Sequence, residues 1–125
     1  MQINLETADK HAIQSYTDTE VKIDSKLYNT SLIVSRHEIM SPWPVCRIQE
    51  LNESNLADIL QFNPEIILLG HGQPGVLAPM DVHQALSKSR IGMECMSIGA
   101  ACRTFNVLLN EQRDVVLILI FAAAG

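Results

Sequence analysis

Apolar residues change their spacing partway along the chain. Up to Met40 they favour a period of two: Val21 and Ile23 alternate with polar neighbours, and Asp24-Ser25 offers a turn. Leu27 to Ser35 then carries Leu32-Ile33-Val34. This pattern predicts a β-hairpin with a longer second strand, followed by a short strand over His37 to Met40. Ser41-Pro42-Trp43-Pro44 breaks the pattern, because each proline removes an N–H donor and restricts the residue before it. Trp43, held between two prolines, is expected as a packing anchor. Its flank is equally readable as an apolar patch for association.

Beyond this break the period becomes helical. Leu56, Ile59 and Leu60 fall at i, i+3 and i+4, with Asn52 or Ser54 as N-cap and Pro64 as the stop. Glu65-Ile66-Ile67-Leu68-Leu69 is a short apolar run ending at Gly70, as a buried strand would be. A second helix is predicted over Met80 to Ser89, with Val82, Ala85 and Leu86 inward and Pro79 in its first turn. Ile91 to Met96 reads as another strand. Ser97 can cap a third helix, Ile98 to Asn110, whose stripe is Ile98, Ala101, Cys102, Phe105, Leu108 and Leu109. Val115 to Phe121 closes the series as a strand apolar on both faces. Alternating helices and strands imply parallel strands with helices packed on them. Ligands of such sheets bind beyond the carboxyl ends of the strands, which directs attention to the loop after Leu69 and the turn after Met96.

Composition narrows the partners. A chain of 125 residues with 47% hydrophobic and 18% charged residues reads as one globular domain, 1–125. Net charge is −5, and the nine basic residues are scattered without a run. That argues against nucleic acid and against an anionic membrane surface. The N-terminus lacks the features of a secretory signal, and Val115 to Ala124 falls short of the roughly 20 residues a membrane helix needs. No direct membrane insertion is expected. Cys46, Cys95 and Cys102 form no C-x-x-C pair, so the simplest location is cytoplasmic. The four histidines, His11, His37, His71 and His83, show no metal-ligand spacing. No metal and no cofactor is implied.

The candidate chemistry centres on Gly70-His71-Gly72-Gln73-Pro74-Gly75. It matches a G-x-G-x-x-G fingerprint, but Pro74 and Pro79 postpone the helix that a dinucleotide loop requires, and the chain is too short for both halves of such a fold. What remains is a glycine turn, or a loop placing His71, Gln73 and free N–H groups around a small anion or polar ligand. Ser97 stands at a strand-to-helix turn, yet Cys95 replaces the glycine of a nucleophile elbow and no Asp-then-His order follows, so an N-cap explains it. Glu94 lies in an otherwise apolar strand. It is read as an ion-paired or water-exposed carboxylate, or as an acid/base partner of the loop with His71, Arg90 or Arg103 as neighbours. No residue is assigned a catalytic role. A ligand-binding reading therefore names Gly70, His71, Gly72, Gln73, Glu94 and Ser97, and it requires His71, Glu94 and Ser97 to converge on one cavity. Gly99, Arg103, Asn106 and Asn110 share the polar face of the third helix. This face is solvated or serves a partner, since Gly99 would let another backbone approach. Cys95 and Cys102 fall on apolar faces and read as inert thiols.

Several segments together resemble one known family. Pro64 to Gly72 looks like its strand and G-T-G loop, and Ile91 to Ser97 like its second signature. Ala101-Cys102-Arg103-Thr104-Phe105-Asn106-Val107-Leu108 resembles its A-x-x-T-[YF]-N segment, and Val115 to Ile120 its final strand. This is the Mth-type domain family of unknown function, which includes the mitochondrial NADH dehydrogenase 1 alpha subcomplex assembly factor 3. The resemblance implies an α/β fold: a three-layer single domain with a mixed β-sheet, parallel core strands flanked by helices, and an N-terminal β-hairpin element. It implies no established enzyme activity. The expectation is a non-catalytic accessory or assembly-type protein acting on a protein partner, with homo-oligomerisation left open. The alternative is a small-molecule or anion-binding protein or enzyme with its site at the Gly70–Gly75 loop. The chain departs from the family at His71, where threonine is usual, and at Gln112, where glycine is usual.

Overall fold

The computed structural model describes residues 11–73 and 75–122. Two sheets divide the strands. A small antiparallel sheet has the order β1-β2-β3, from β1 (Ile13–Tyr16), β2 (Val21–Ile23) and β3 (Lys26–Tyr28). A five-stranded mixed sheet has the order β5-β4-β8-β6-β7. Its strands are β4 (Leu32–Val34), β5 (Ile39–Met40), β6 (Ile66–His71), β7 (Gly92–Met96) and β8 (Val115–Ile120). Three helices complete the fold: α1 (Glu53–Leu60), α2 (Met80–Lys88) and α3 (Ile98–Asn110), with a 3₁₀ turn at Ile48–Glu50. The α/β class expected from the sequence, with a mixed sheet, flanking helices and an N-terminal hairpin, is the observed one.

The centre of the large sheet is β8, and all six of its residues are buried. It pairs in parallel with β6 and antiparallel with β4. Its side chains alternate between two cores. Val115, Leu117 and Leu119 meet Leu68, the inner stripe of α3 and residues Ile13, Val21 and Ile23 of the small sheet. Val116, Ile118 and Ile120 meet Ile67, Leu69, α1, α2 and Trp43. The anchor expected at Trp43 is observed: it is 2% exposed and its Nε1 donates to Asp58 Oδ2 at 3.0 Å.

Two expectations for the first third require correction. Leu27 to Ser35 is not one long strand. It splits between β3, which pairs only with β2, and β4, which joins the large sheet. The buried Leu32, Ile33 and Val34 are drawn into the main core while Lys26–Tyr28 stays at the surface. The hairpin also gains β1, a strand not read from the sequence because one of its four residues is buried. Asn52 caps α1, with Asn55 as the reciprocal partner of a capping box.

Helices α2 and α3 end in the same way. After α3 the Gln112 N–H donates to the Leu109 carbonyl at 2.9 Å and the Arg113 N–H to the Leu108 carbonyl at 3.0 Å. After α2 the Arg90 and Ile91 N–H groups donate to Ser87 and Leu86, each at 3.0 Å. Both are Schellman ends, which put one residue in the left-handed region. Here those residues are Gln112 (φ 63°) and Arg90 (φ 57°), neither a glycine. The usual glycine of the resembled family thus coincides with a position where a side chain is strained. Gln112→Gly is expected to stabilise the fold by about 0.5–1 kcal/mol, the left-handed cost less the extra unfolded-state freedom of glycine. Urea unfolding of the two proteins at equal pH checks this; an unchanged or lower midpoint contradicts it.

Candidate functional site

Three strands of the large sheet end together. His71 closes β6, Met96 closes β7 and Ile120 closes β8, and all three line a half-open cleft of about 900 Å³. The segment before the 3₁₀ turn contributes Cys46 and Arg47, and the turn between β1 and β2 contributes Asp18 and Thr19. The loop from Gly72 to Leu77 and the start of α3, Ser97 and Ile98, complete the wall. The cleft lies beyond the carboxyl ends of β6 and β7, where ligands of parallel sheets bind. Its walls are mainly apolar: Val76, Leu77, Cys95, Met96, Ile98 and Ile120.

The glycines divide by role. A Cβ on Gly70 would lie 2.8 Å from Ala101 Cβ, 2.9 Å from Leu119 Cδ2 and 3.2 Å from Ile98 Cα. Gly70 is therefore what lets β6 pack against α3, and it does not line the cleft. Gly72 faces open space, and Gly75 has a φ of +77°. Helix α2 begins at Met80, well past the glycines, so no helix end is built into this loop.

His71 is held by its own loop. It is 7% exposed, and its Nδ1 accepts the Gln73 N–H at 3.1 Å. Burial pushes its pKa below the usual histidine value, and the Val76 backbone opposes that shift. Nδ1, engaged as an acceptor, carries no proton of its own in this arrangement. Gln73 in turn accepts the Ile48 N–H through Oε1 at 3.3 Å, tying the loop to the 3₁₀ turn. Ser97 Oγ accepts the Ala100 N–H at 3.2 Å, so it caps α3 as expected. Burial raises the Cys95 thiol, against an opposing hydrogen bond with the Ala78 backbone, and raises Cys102 to about 12. Neither is an activated thiol.

Glu94 does not join this group. It stands beside Leu68 in the β6–β7 register, and Leu68 belongs to the α3 side of the sheet. His71 stands beside Ile120, which belongs to the other side. The two side chains are on opposite faces, and β7 is an edge strand on which Glu94 is exposed. Among the described residues it has no ion pair with Arg90, Arg103 or His71. The convergence of His71, Glu94 and Ser97 fails at Glu94, while His71, Gly72, Gln73 and Ser97 do share the cleft.

The polar face of α3 also differs from expectation. Asn106 Oδ1 accepts the Ile13 N–H at 2.7 Å, and its Nδ2 donates to the Ile13 carbonyl at 3.0 Å. The Arg103 guanidinium donates to the Tyr16 hydroxyl and lies over that ring. A Cβ on Gly99 would come within 2.8 Å of the Tyr16 ring. Gly99, Arg103 and Asn106 therefore seat the chain's own β1; only Asn110 of that set stands clear of it. The approach that Gly99 permits is made by an aromatic ring of the same chain.

Arg47, like Asp18 and Thr19, lines the cleft without having been marked by the sequence. It follows the proline-rich break, where no periodicity marks a position as significant. It is exposed at the cleft, and its side chain forms no hydrogen bond or ion pair among the described residues. No three His, Cys, Asp or Glu side chains among them gather as a metal site.

A mixed-sheet α/β domain with its cleft at the strand ends is the class this geometry defines. Residues 13–120 match the family described as Protein of unknown function (DUF498/DUF598), and the chain belongs to that family. It is similar to a "13 kDa major membrane protein" of Francisella tularensis subsp. holarctica (strain LVS), 36% identical over 94 residues, covering 74% of this chain and 76% of the relative. A Xanthomonas campestris protein solved by NMR is 32% identical with a TM-score of 0.83, over 91% of this chain and 86% of its own. A Bartonella henselae protein described as an outer membrane protein is 26% identical with a TM-score of 0.73, over 93% and 98% of the two chains. A Bordetella pertussis protein described as an Mth938-like domain shares the fold at 21% identity, with a TM-score of 0.72, over 96% and 89% of the two chains.

Two outcomes follow from this geometry. Asn106→Ala strips both hydrogen bonds from the Ile13 peptide groups and is expected to cost roughly 1–3 kcal/mol; an unchanged denaturation midpoint contradicts it. His71 has a lowered folded pKa, so its stabilisation is complete above the unfolded value of 6.5 and is lost as pH falls from there through the folded value. His71→Gln is expected to flatten the fall in stability between pH 7.5 and 5, read by urea titration at each pH. An equal fall in both proteins would show that His71 is not the group responsible.

Proposed function

We propose that this protein is a non-catalytic accessory protein that holds a segment of a partner polypeptide in the cleft at the ends of β6, β7 and β8. The observation that carries this reading is the state of the polar groups there. His71 Nδ1, Gln73 Oε1 and Ser97 Oγ already accept hydrogen bonds from the chain's own backbone. Of the two thiols that line the cleft, Cys95 has its pKa raised by burial and Cys46 donates to the Pro44 carbonyl at 3.8 Å. An apolar cleft of this volume, whose His71, Gln73 and Ser97 acceptors are already engaged, suits binding. Beside it Leu77 and Met80 are each 69% exposed, an apolar rim that a partner would cover.

Assembly of membrane-bound complexes is the setting that best unites the available facts. Two relatives carry membrane-protein names. No helix among the described residues is long and apolar enough to cross a membrane. An accessory factor that visits membrane complexes from the cytoplasmic side accommodates both, and the three free cysteines suit a reducing compartment.

A photo-crosslinking side chain installed at Leu77 in cells is expected to trap a discrete polypeptide. The same group at Lys88, at the far end of α2, is expected to trap none. Equal capture at both positions, or none at Leu77, would remove the cleft from this role.

A further inference from the structure

Resting on the reading of the cleft as the partner site, the geometry points to a more specific ligand: we propose that the cleft takes the free C-terminus of a polypeptide ending in apolar residues, with Arg47 receiving the terminal carboxylate.

The charges decide between ligand classes. Two formal charges line the cleft, Arg47 and Asp18, and they form no ion pair with each other. An unpaired guanidinium at the edge of an apolar cavity is suited to a planar carboxylate, which it can hold through two parallel N–H donors. Asp18 and the Thr19 hydroxyl offer acceptors on the same cleft. A fatty carboxylate would satisfy Arg47 and the apolar walls but has no donor for Asp18. A peptide supplies both, a terminal carboxylate and amide N–H groups along its backbone. Val76, Leu77, Met96, Ile98 and Ile120 provide the surface for its last apolar side chains. A cleft of about 900 Å³ accommodates a ligand of a few residues, and its open side lets the rest of the partner continue outward. Helix α3 carries no acidic residue in its first turn, so the α3 end of the cleft adds no opposing side-chain charge.

The probe is an acetylated hexapeptide ending in Leu-Ile-Phe with a free carboxylate, titrated into the full chain and followed by amide ¹H–¹⁵N spectra. Saturable shifts are expected at Arg47, Gly72, Val76 and Ile98. The same peptide with an amidated end is expected to bind about tenfold more weakly, as loss of a charge-assisted hydrogen bond predicts. Arg47→Gln is expected to reduce the acid to the affinity of the amide while leaving the amide unchanged. Asp18→Ala is expected to weaken both peptides, since it removes the side-chain acceptor for peptide N–H groups. Both variants alter exposed side chains, and a thermal melt of each confirms the fold before titration. Equal affinity of acid and amide, or an unaffected acid in Arg47→Gln, overturns the carboxylate assignment. Tighter binding of dodecanoate than of the peptide overturns it in favour of a lipid. Crosslinking at Leu77 with no peptide binding would leave the accessory reading intact and defeat this inference alone.

Discussion

The structure depends on the burial of β8 on both faces. A strand that is apolar at every position cannot rest at a surface, so each face must be covered by a separate layer. The parallel bond to β6 and the antiparallel bond to β4 hold it at the centre, and the layers follow. On one side lies α3 with the small sheet, on the other α1, α2 and Trp43. The cleft is a by-product of this arrangement. Strands β6, β7 and β8 run together and stop together, and the loops that leave them diverge to opposite faces.

That divergence also sets the glycine loop apart from a dinucleotide loop, because α2 begins only at Met80. The loop's first glycine is consumed by packing against α3, and its histidine and glutamine are consumed by hydrogen bonds within the loop and to the 3₁₀ turn. His71 Nδ1 and Gln73 Oε1 are thereby engaged within the chain, one by the loop and one by the 3₁₀ turn.

Much of the fold was legible because its strongest signals are periodic. The helical stripe from Ile98 to Leu109 and the unbroken apolar run from Val115 have one reading each. The first third was less legible for a physical reason. Asn29-Thr30-Ser31 is only a three-residue polar break, short enough to be read as the interior of one strand, and the change of sheet falls there. Strand β1 escaped notice because Gln14, Ser15 and Tyr16 are all exposed. That His71, Gly72, Gln73 and Ser97 line one cleft was legible because they follow strand ends. Glu94 misled because an edge strand and a buried one look alike when their neighbours are apolar. Arg47 gave no signal, since its place at the cleft depends on how segments distant in the chain meet.

The attachment of β1 has a consequence for how this chain tolerates change. Asn106 grips the peptide group of Ile13, both its N–H and its carbonyl, and does not depend on the Ile13 side chain. A lock that recognises main chain makes no demand on the side chain of Ser15, which is exposed on the same strand. Variation at Ser15 can therefore remodel the surface of the small sheet while its position is kept by a residue on a distant helix, whereas Gln14 is bound to the turn after β2, where its Oε1 accepts the Ser25 N–H at 2.7 Å. In an engineered version, Ser15 is where a label or a new contact could be introduced without loosening the frame.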